Sequence, residues 1–324
     1  MKRIAILGAS SQIAKDFILS ASAVKEYELI LYARDIPGLR AWLSEKALTA
    51  LNVFAYKNYG KQDHEVVMNF IGVGDPSKAA AMGASILEVT LEYDQMVLRE
   101  LKKNPTRKYL FLSSGAAYGS VFEVPAHYDS SAAIPINSIT TQDYYSVAKI
   151  HAEVCHRAAS SMPIVDIRIF NYFSKTQDIN ARFFVTDVIR AIRDNDVLRT
   201  LPQDMTRDYL HPQDFYNLVH CIIQSPNKNV AIDCYTLSPV SKYDLLNKMS
   251  EKFGLRYAFI DTPLVSVNAT GAKPHYYSNY YAAAEFGYKP LYSSLETVLN
   301  ESAAILEVQL NQAAKPTGQV DEIY

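Results

Sequence analysis

Near the start of the chain the apolar run Arg3-Ile4-Ala5-Ile6-Leu7 ends at Gly8, and a helical pattern runs from Gln12 through Leu19. A short, continuous apolar run closed by a glycine turn is the pattern of a parallel strand buried on both faces. The helix that follows starts with exposed backbone amides, which form an anion site suited to a pyrophosphate. Few folds accommodate this opening. Gly8, Ser11 and Ala14 fit a G-x-x-G-x-x-G/A turn with serine at the middle glycine, so Gly8, Ser10, Ser11, Gln12 and Ile13 are the candidate residues of a dinucleotide turn.

Further strands of the same kind are predicted over 28–33, 51–56, 66–71, 108–112 and 164–170, with long helices over 86–103 and 142–160. On the first of these helices Ile86, Val89, Tyr93, Val97 and Leu101 fall near one face. Alternating strands and helices predict an α/β fold with a doubly wound, Rossmann-type parallel sheet. At 324 residues, 49% hydrophobic and 20% charged, the chain suits one large globular unit or two closely packed domains. With 32 basic against 34 acidic residues and no basic block, nucleic acid and anionic membrane surfaces are not expected partners. No stretch approaches the roughly 20 apolar residues needed to span a bilayer. Cys155, Cys221 and Cys234 form no C-x-x-C pair and read as reduced thiols of a cytoplasmic protein, with no metal site expected.

Chemistry enters with Tyr145-Ser146-Val147-Ala148-Lys149. On a helix, residues i and i+4 share a face, so a phenol and an ammonium are presented together. A phenol with a pKa near ~10 is a poor acid or base at neutral pH, and a nearby cation favours its phenolate. Ser113-Ser114 at the end of a strand can add a hydroxyl to that pair. Phe70-Ile71-Gly72-Val73-Gly74 closes another strand with two glycines, which let a cofactor lie close to the backbone. The strand over 28–33 ends in Arg34-Asp35. Its end sets selectivity for the adenosine ribose, and a guanidinium there suits a 2′-phosphate. NADP(H) is therefore favoured, with NAD(H) kept possible by Asp35.

Gly8 to Ala14, Ser113-Ser114 before Tyr118-Gly119, Tyr145 to Lys149, Arg168-Ile169-Phe170-Asn171, Arg207 to Asp214 and Phe286-Gly287-Tyr288-Lys289-Pro290 stand in this order across nearly the whole chain. With these motifs the chain resembles the extended short-chain dehydrogenase/reductases of the nucleotide-sugar epimerase, dehydratase and reductase group. The resemblance implies a catalytic set of Ser114, Tyr145 and Lys149. In it Tyr145 is the acid/base, Lys149 holds the nicotinamide ribose and lowers the tyrosine pKa, and Ser114 binds the reacting sugar oxygen. It implies that Asn171 meets the substrate's diphosphate and Arg207 its nucleotide end. Gly8, Ser10, Ser11, Gln12, Ile13, Arg34, Phe70, Ile71, Gly72, Ser113, Tyr145 and Lys149 would face the cofactor. Asp214 is expected only to cap a helix over 215–223.

Residues 1–171, rejoined by about 207–238, are expected to form the dinucleotide-binding domain. Residues 172–324 would form a smaller C-terminal α/β substrate lobe with a frayed tail from about 309. A homodimer through the helices over 86–103 and 142–160 is implied by the resemblance. In the dehydratases of this group an Asp-Glu pair follows the active-site serine or threonine, and here Gly115 and Ala116 stand there. In the reductase that also epimerises a 4-keto sugar, a cysteine stands where Ala116 does. The expected reaction is NADP(H)-dependent reduction of a keto nucleotide sugar, usually a 4-keto-6-deoxy sugar, with Tyr145 as proton donor. The alternatives are NAD-dependent 4-epimerisation and a non-catalytic NADP(H)-binding sensor.

Overall fold

A computed structural model describes residues 1–72, 79, 81–119, 122–141, 143–261 and 273–313, with side chains to residue 307. Val73, Gly74, Gln142 and the tail from 314 lie outside the described residues, as does the expected start of the 142–160 helix. The chain runs β1 (Lys2–Leu7), α1 (Gln12–Val24), β2 (Tyr27–Tyr32), α2 (Ile36–Glu45), β3 (Asn52–Phe54), β4 (Val66–Asn69), α3 (Ser85–Lys103), β5 (Lys108–Ser114), α4 (Tyr144–Ala158), β6 (Ile164–Ile169) and β7 (Asn171–Tyr172). It continues through α5 (Phe184–Arg193), β8 (Val197–Thr200), β9 (Thr206–Arg207), β10 (Tyr209–Leu210), α6 (Pro212–Gln224), β11 (Val230–Asp233), β12 (Val240–Ser241), α7 (Lys242–Phe253), β13 (Arg256–Phe259), β14 (His275–Tyr276) and α8 (Ser294–Ala313).

Seven strands form one parallel sheet in the order β11-β6-β5-β4-β1-β2-β3. The apolar runs are continuous because both faces are covered. In β1, Ile4 and Ile6 join the core under α1 and α6, while Ala5 and Leu7 join the core under α3 and α4. Strand order reverses between β1 and β4, and ligands of open α/β sheets bind at the carboxyl ends flanking such a switch point. Gly8 and the residues after Asn69 meet there.

A second apolar cluster joins Phe173, Val185, Val188, Ile189, Leu198, Leu245, Leu246, Met249, Leu255, Val298 and Ile305 from α5, α7, α8 and the short strands between them. The chain after 172 is not confined to it. Ala283, Phe286 and Tyr288 pack in the sheet's own core, beside Phe215 and Tyr235.

Two local readings change. On α3 the buried positions include Thr90 and Asp94, while Val89 and Tyr93 are half-buried. Asp94 accepts from the Tyr109 hydroxyl at 2.9 Å and faces His156 Nε2 at 2.8 Å, so a polar network interrupts the expected apolar stripe, of which Ile86, Val97 and Leu101 are buried. Helix α6 begins at Pro212, whose fixed φ suits a first helical turn, and His211 is its N-cap, with Nδ1 accepting from Gln213 N–H at 3.1 Å. Asp214 is therefore not the cap. It is fully buried inside the first turn, and its carboxylate accepts from the backbone N–H groups of Leu291 (2.8 Å) and Tyr292 (3.1 Å). Its role is to fix the chain entering α8.

Candidate active site

The turn after β1 is shaped by close approach of two backbones. Gly8 has φ +75°, and a Cβ there would lie 2.8 Å from the carbonyl carbon of Phe70 and 2.9 Å from the nitrogen of Ile71. Only glycine fits without moving the end of β4. Ser11 is the N-cap of α1 yet makes no side-chain cap, and its buried hydroxyl has no hydrogen-bond partner among the described residues. An uncapped helix start beside an orphaned hydroxyl is a fitting place for a phosphate group. Ser10 is exposed at this turn, and Ile13 packs its side chain on the core. Gln12 turns its amide away, donating to the Ser174 hydroxyl at 3.0 Å.

At the end of β2, Arg34 is exposed. Asp35 caps α2, accepting from Gly38 N–H at 3.0 Å, which leaves its carboxylate engaged. At the end of β4, Phe70 buries its ring against Phe17 and Phe215, so only its backbone faces the crevice. Ile71 N–H is held by Asn69 Oδ1 at 2.9 Å. Gly72 brings the chain to Lys149, whose Nζ would be 3.7 Å from a Cβ at that position.

Strand β5 delivers Ser113 and Ser114 at its carboxyl end, and their alternation sends them to different partners. Ser113 donates to Glu153 Oε1 at 2.5 Å. Glu153 also accepts from Arg168, which donates to the Tyr118 hydroxyl at 2.6 Å and pairs with Asp233 at 3.4 Å. Ser113 thus belongs to a buried polar network behind the site. Ser114 caps the short turn Gly115–Tyr118, and its hydroxyl lies 3.2 Å from the Tyr276 hydroxyl.

Helix α4 places Tyr145 and Lys149 on the face turned toward β5. The Lys149 ammonium donates to Leu112 O at 2.6 Å and sits 4.5 Å from the Phe111 ring centroid and 5.7 Å from that of Tyr145. Burial lowers its pKa to about 8, against the pull of Glu153, Asp166 and Asp94. The Tyr145 phenol is pushed up by burial, and hydrogen bonding with Ser114 pulls it back down. The Lys149 ammonium, though engaged with a carbonyl, also places a positive charge near the Tyr145 ring.

Tyr276 is outside the expected site set but joins it in the structure. It stood in an aromatic run, Tyr276-Tyr277-Ser278-Asn279-Tyr280-Tyr281, and nothing in that run tells which ring turns inward. Strand pairing decides it: β14 lies parallel to β9, with Tyr276 opposite Arg207. Its ring contacts Phe122 (4.8 Å) and Phe170 (5.1 Å) and lies 4.5 Å from Lys273 Nζ and 6.0 Å from Arg207 Cζ. Lys273 is buried, and burial followed by the nearby Arg207 charge lowers its pKa to about 8. Arg207 donates through Nη1 to the carbonyls of Lys273 (2.6 Å) and Thr206 (2.9 Å), so part of its guanidinium fixes the backbone that carries Lys273. Asn171 donates to Asp208 O at 3.2 Å. A Cβ at Gly115 would lie 2.5 Å from the Phe170 ring, so the position after Ser114 has no room for an acidic side chain. No cluster of three His, Cys, Asp or Glu side chains able to hold a metal occurs among the described residues.

The sequence profile of the NAD dependent epimerase/dehydratase family matches residues 4–237. The chain belongs to this family. No curated protein matches it in sequence. Solved structures similar in fold include UDP-glucuronic acid 4-epimerase from Bacillus cereus in complex with UDP-glucuronic acid and NAD, at TM-score 0.75 and 16% identity. That match covers 94% of this chain and 99% of the other. UDP-glucose 4-epimerase from Bifidobacterium longum, in complex with NAD+ and UDP, matches at TM-score 0.74 and 17% identity over 96% of this chain and 99% of the other. dTDP-glucose 4,6-dehydratase from Bacillus anthracis, in complex with NAD, matches at TM-score 0.74 and 14% identity over 97% and 98%. As an epimerase/dehydratase family member, the chain has its matched segment ending four residues beyond β11, and Lys273 and Tyr276 lie outside it. No helix among the described residues is long and apolar enough to cross a membrane.

Proposed function

We propose that this protein inverts a carbinol carbon of a nucleotide sugar, in the manner of a 4-epimerase that uses NAD. The observation that carries the reading is the convergence of Ser114, Tyr145 and Lys149 beside Gly72, at the carboxyl ends of β4 and β5. The epimerases among the similar folds, with NAD in their structures, support the same direction. The dinucleotide supplies the hydride acceptor and donor. Tyr145 takes the hydroxyl proton as the carbon is oxidised and returns it when the carbon is reduced from the opposite face. Ser114, which favours the ionised phenol, orients that oxygen beside it. Lys149 adds a positive charge beneath the ring and reaches toward Gly72, where a nicotinamide ribose would lie. Gly115 and Ala116 move no protons, and the Phe170 ring occupies the space an acid would need, so dehydration is not part of the reading.

The cofactor turn, from Gly8 to Ile13, would take the pyrophosphate on its uncapped amides and Ser11 hydroxyl. Asn171, Arg207 and Lys273 would take the anionic half of the substrate. We assign residues 1–171 and about 207–238 to the cofactor side and most of the remainder to the substrate side. Leu91 and Val154, exposed on α3 and α4, favour a homodimer through those helices.

A second reading, NADP(H)-dependent reduction of a keto nucleotide sugar, is favoured by one observation. Arg34 stands exposed where a 2′-phosphate would arrive, while Asp35 is occupied as a cap. Titration of wild type and Arg34→Ala with NAD and NADPH separates the two. Epimerisation predicts that NAD binds and that Arg34→Ala changes its affinity by less than about threefold. A tenfold or larger preference for NADPH, lost in Arg34→Ala, would favour the reductase; one bidentate contact to phosphate contributes about that much.

A further inference from the structure

Asp16 lies one turn inside α1, almost fully buried, on the helix whose start would hold the pyrophosphate. Its carboxylate accepts from three hydroxyls that belong to one short run of chain: Tyr172 (2.8 Å), Ser174 (2.7 Å) and Thr176 (2.8 Å). Ser174 in turn accepts from the Gln12 amide at 3.0 Å. That run leaves β7 directly after Asn171, a candidate substrate residue, and carries Phe173, fully buried in the second apolar cluster. Its other side is fixed as well, for Lys175 N–H donates to Glu301 Oε2 at 2.5 Å and Glu301 Oε1 faces His211 Nε2 at 3.2 Å. Burial raises the Asp16 pKa, and the three hydroxyl donors pull it back toward the ionised, acceptor-only form. Nothing in the cofactor turn, the catalytic set or either core requires an acid at this place.

We propose that Asp16 is a positioning residue that couples cofactor occupancy to substrate affinity, by tying residues 172–176 to the helix that seats the dinucleotide. Seating the cofactor settles Gln12 and the first turns of α1. Through Asp16 and Ser174 that order reaches Asn171 and the start of the substrate-side core, so the second ligand meets a site already ordered. The inference rests on the nucleotide-sugar reading above.

The test is calorimetric titration of the full chain with UDP, with and without saturating NAD, in wild type, Asp16→Asn, Thr176→Val and Thr176→Ser. Thr176 is exposed apart from its hydroxyl contact, so its variants keep the measurement independent of any folding defect in Asp16→Asn. NAD is expected to tighten UDP binding by about fivefold or more in wild type, the lower end of ordinary coupling. Asp16→Asn and Thr176→Val reduce that factor below about twofold, NAD binding alone is little changed, and Thr176→Ser retains the wild-type factor. A merely structural Asp16 would lower thermal stability and leave the factor intact, which would overturn the proposal. So would a wild type whose UDP affinity ignores NAD. Failure of wild type to bind either UDP or dTDP, titrated in the same way, would overturn the nucleotide-sugar reading and the coupling with it.

Discussion

Adding one methyl group at Gly115 should disturb the site through a chain of aromatic rings. An Ala Cβ there falls 2.5 Å from Phe170 Cδ1 and 2.6 Å from Cε1, roughly 1 Å short of ordinary contact. The ring cannot give way freely, because it is bounded by Phe122 at 6.0 Å, Tyr118 at 6.4 Å and Tyr276 at 5.1 Å. Overpacking of this kind costs about 1–3 kcal/mol. Because Tyr276 holds the Ser114 hydroxyl at 3.2 Å, part of the displacement arrives at the catalytic serine. A double-mutant cycle isolates the contact. Gly115→Ala should destabilise by about 1–3 kcal/mol in denaturant unfolding, and the same change made in a Phe170→Leu background should cost less by at least about 1 kcal/mol. Activity of Gly115→Ala should fall and recover in part with the second change. Simple additivity of the two substitutions would refute the argument that Phe170 closes the position after Ser114.

Tyr145→Phe removes the proton-transfer hydroxyl and should lower kcat by about 10²–10⁴-fold while nucleotide binding, read by calorimetry, stays near wild type. Glu153→Gln leaves the half-buried Arg168 with a weakened partner, and about 1–3 kcal/mol of stability should be lost in denaturant titration, the range for a lost charge-assisted hydrogen bond. His156 lies fully buried between Asp94 and Asp166, which outweigh its burial and raise its pKa to about 9. A folded pKa above the unfolded value near ~6.5 means its contribution is full below that pH and is lost as pH rises through about 9. Lys108, Lys149 and Lys273, each lowered to about 8, act in the opposite sense, gaining stability as pH rises from about 8 toward the unfolded lysine range. The stability difference between wild type and His156→Gln, followed by chemical denaturation from pH 6 to 10, cancels the lysines and should shrink with pH; a flat difference would remove the imidazolium from the account.

The sheet and the cofactor turn were legible because both depend on local pattern. Ile4 to Leu7 form an unbroken apolar run since α1 and α3 cover the two faces, and Gly8 is glycine since Phe70 lies against it. The spacing of Tyr145 and Lys149 likewise needs only the pitch of one helix. What stayed hidden depends on pairing between distant segments. Tyr276 meets Ser114 across 162 residues, and Asp16 meets Ser174 across 158. Periodicity carries no record of either. Asp214 shows the same limit from the other side: its position near a helix start suggested a cap, while its partners, Leu291 and Tyr292, come from a loop 77 residues and more away.

The most direct test is to incubate the purified protein with NAD and UDP-glucose, UDP-glucuronic acid and dTDP-glucose separately, and to follow the sugar by proton NMR together with absorbance at the reduced nicotinamide band. The account predicts a C4-inverted product from at least one of these, no net accumulation of reduced cofactor, and inversion at least about 10²-fold slower in Tyr145→Phe. No inverted product from any of the three, net accumulation of reduced cofactor, or inversion at an undiminished rate in Tyr145→Phe, would contradict it.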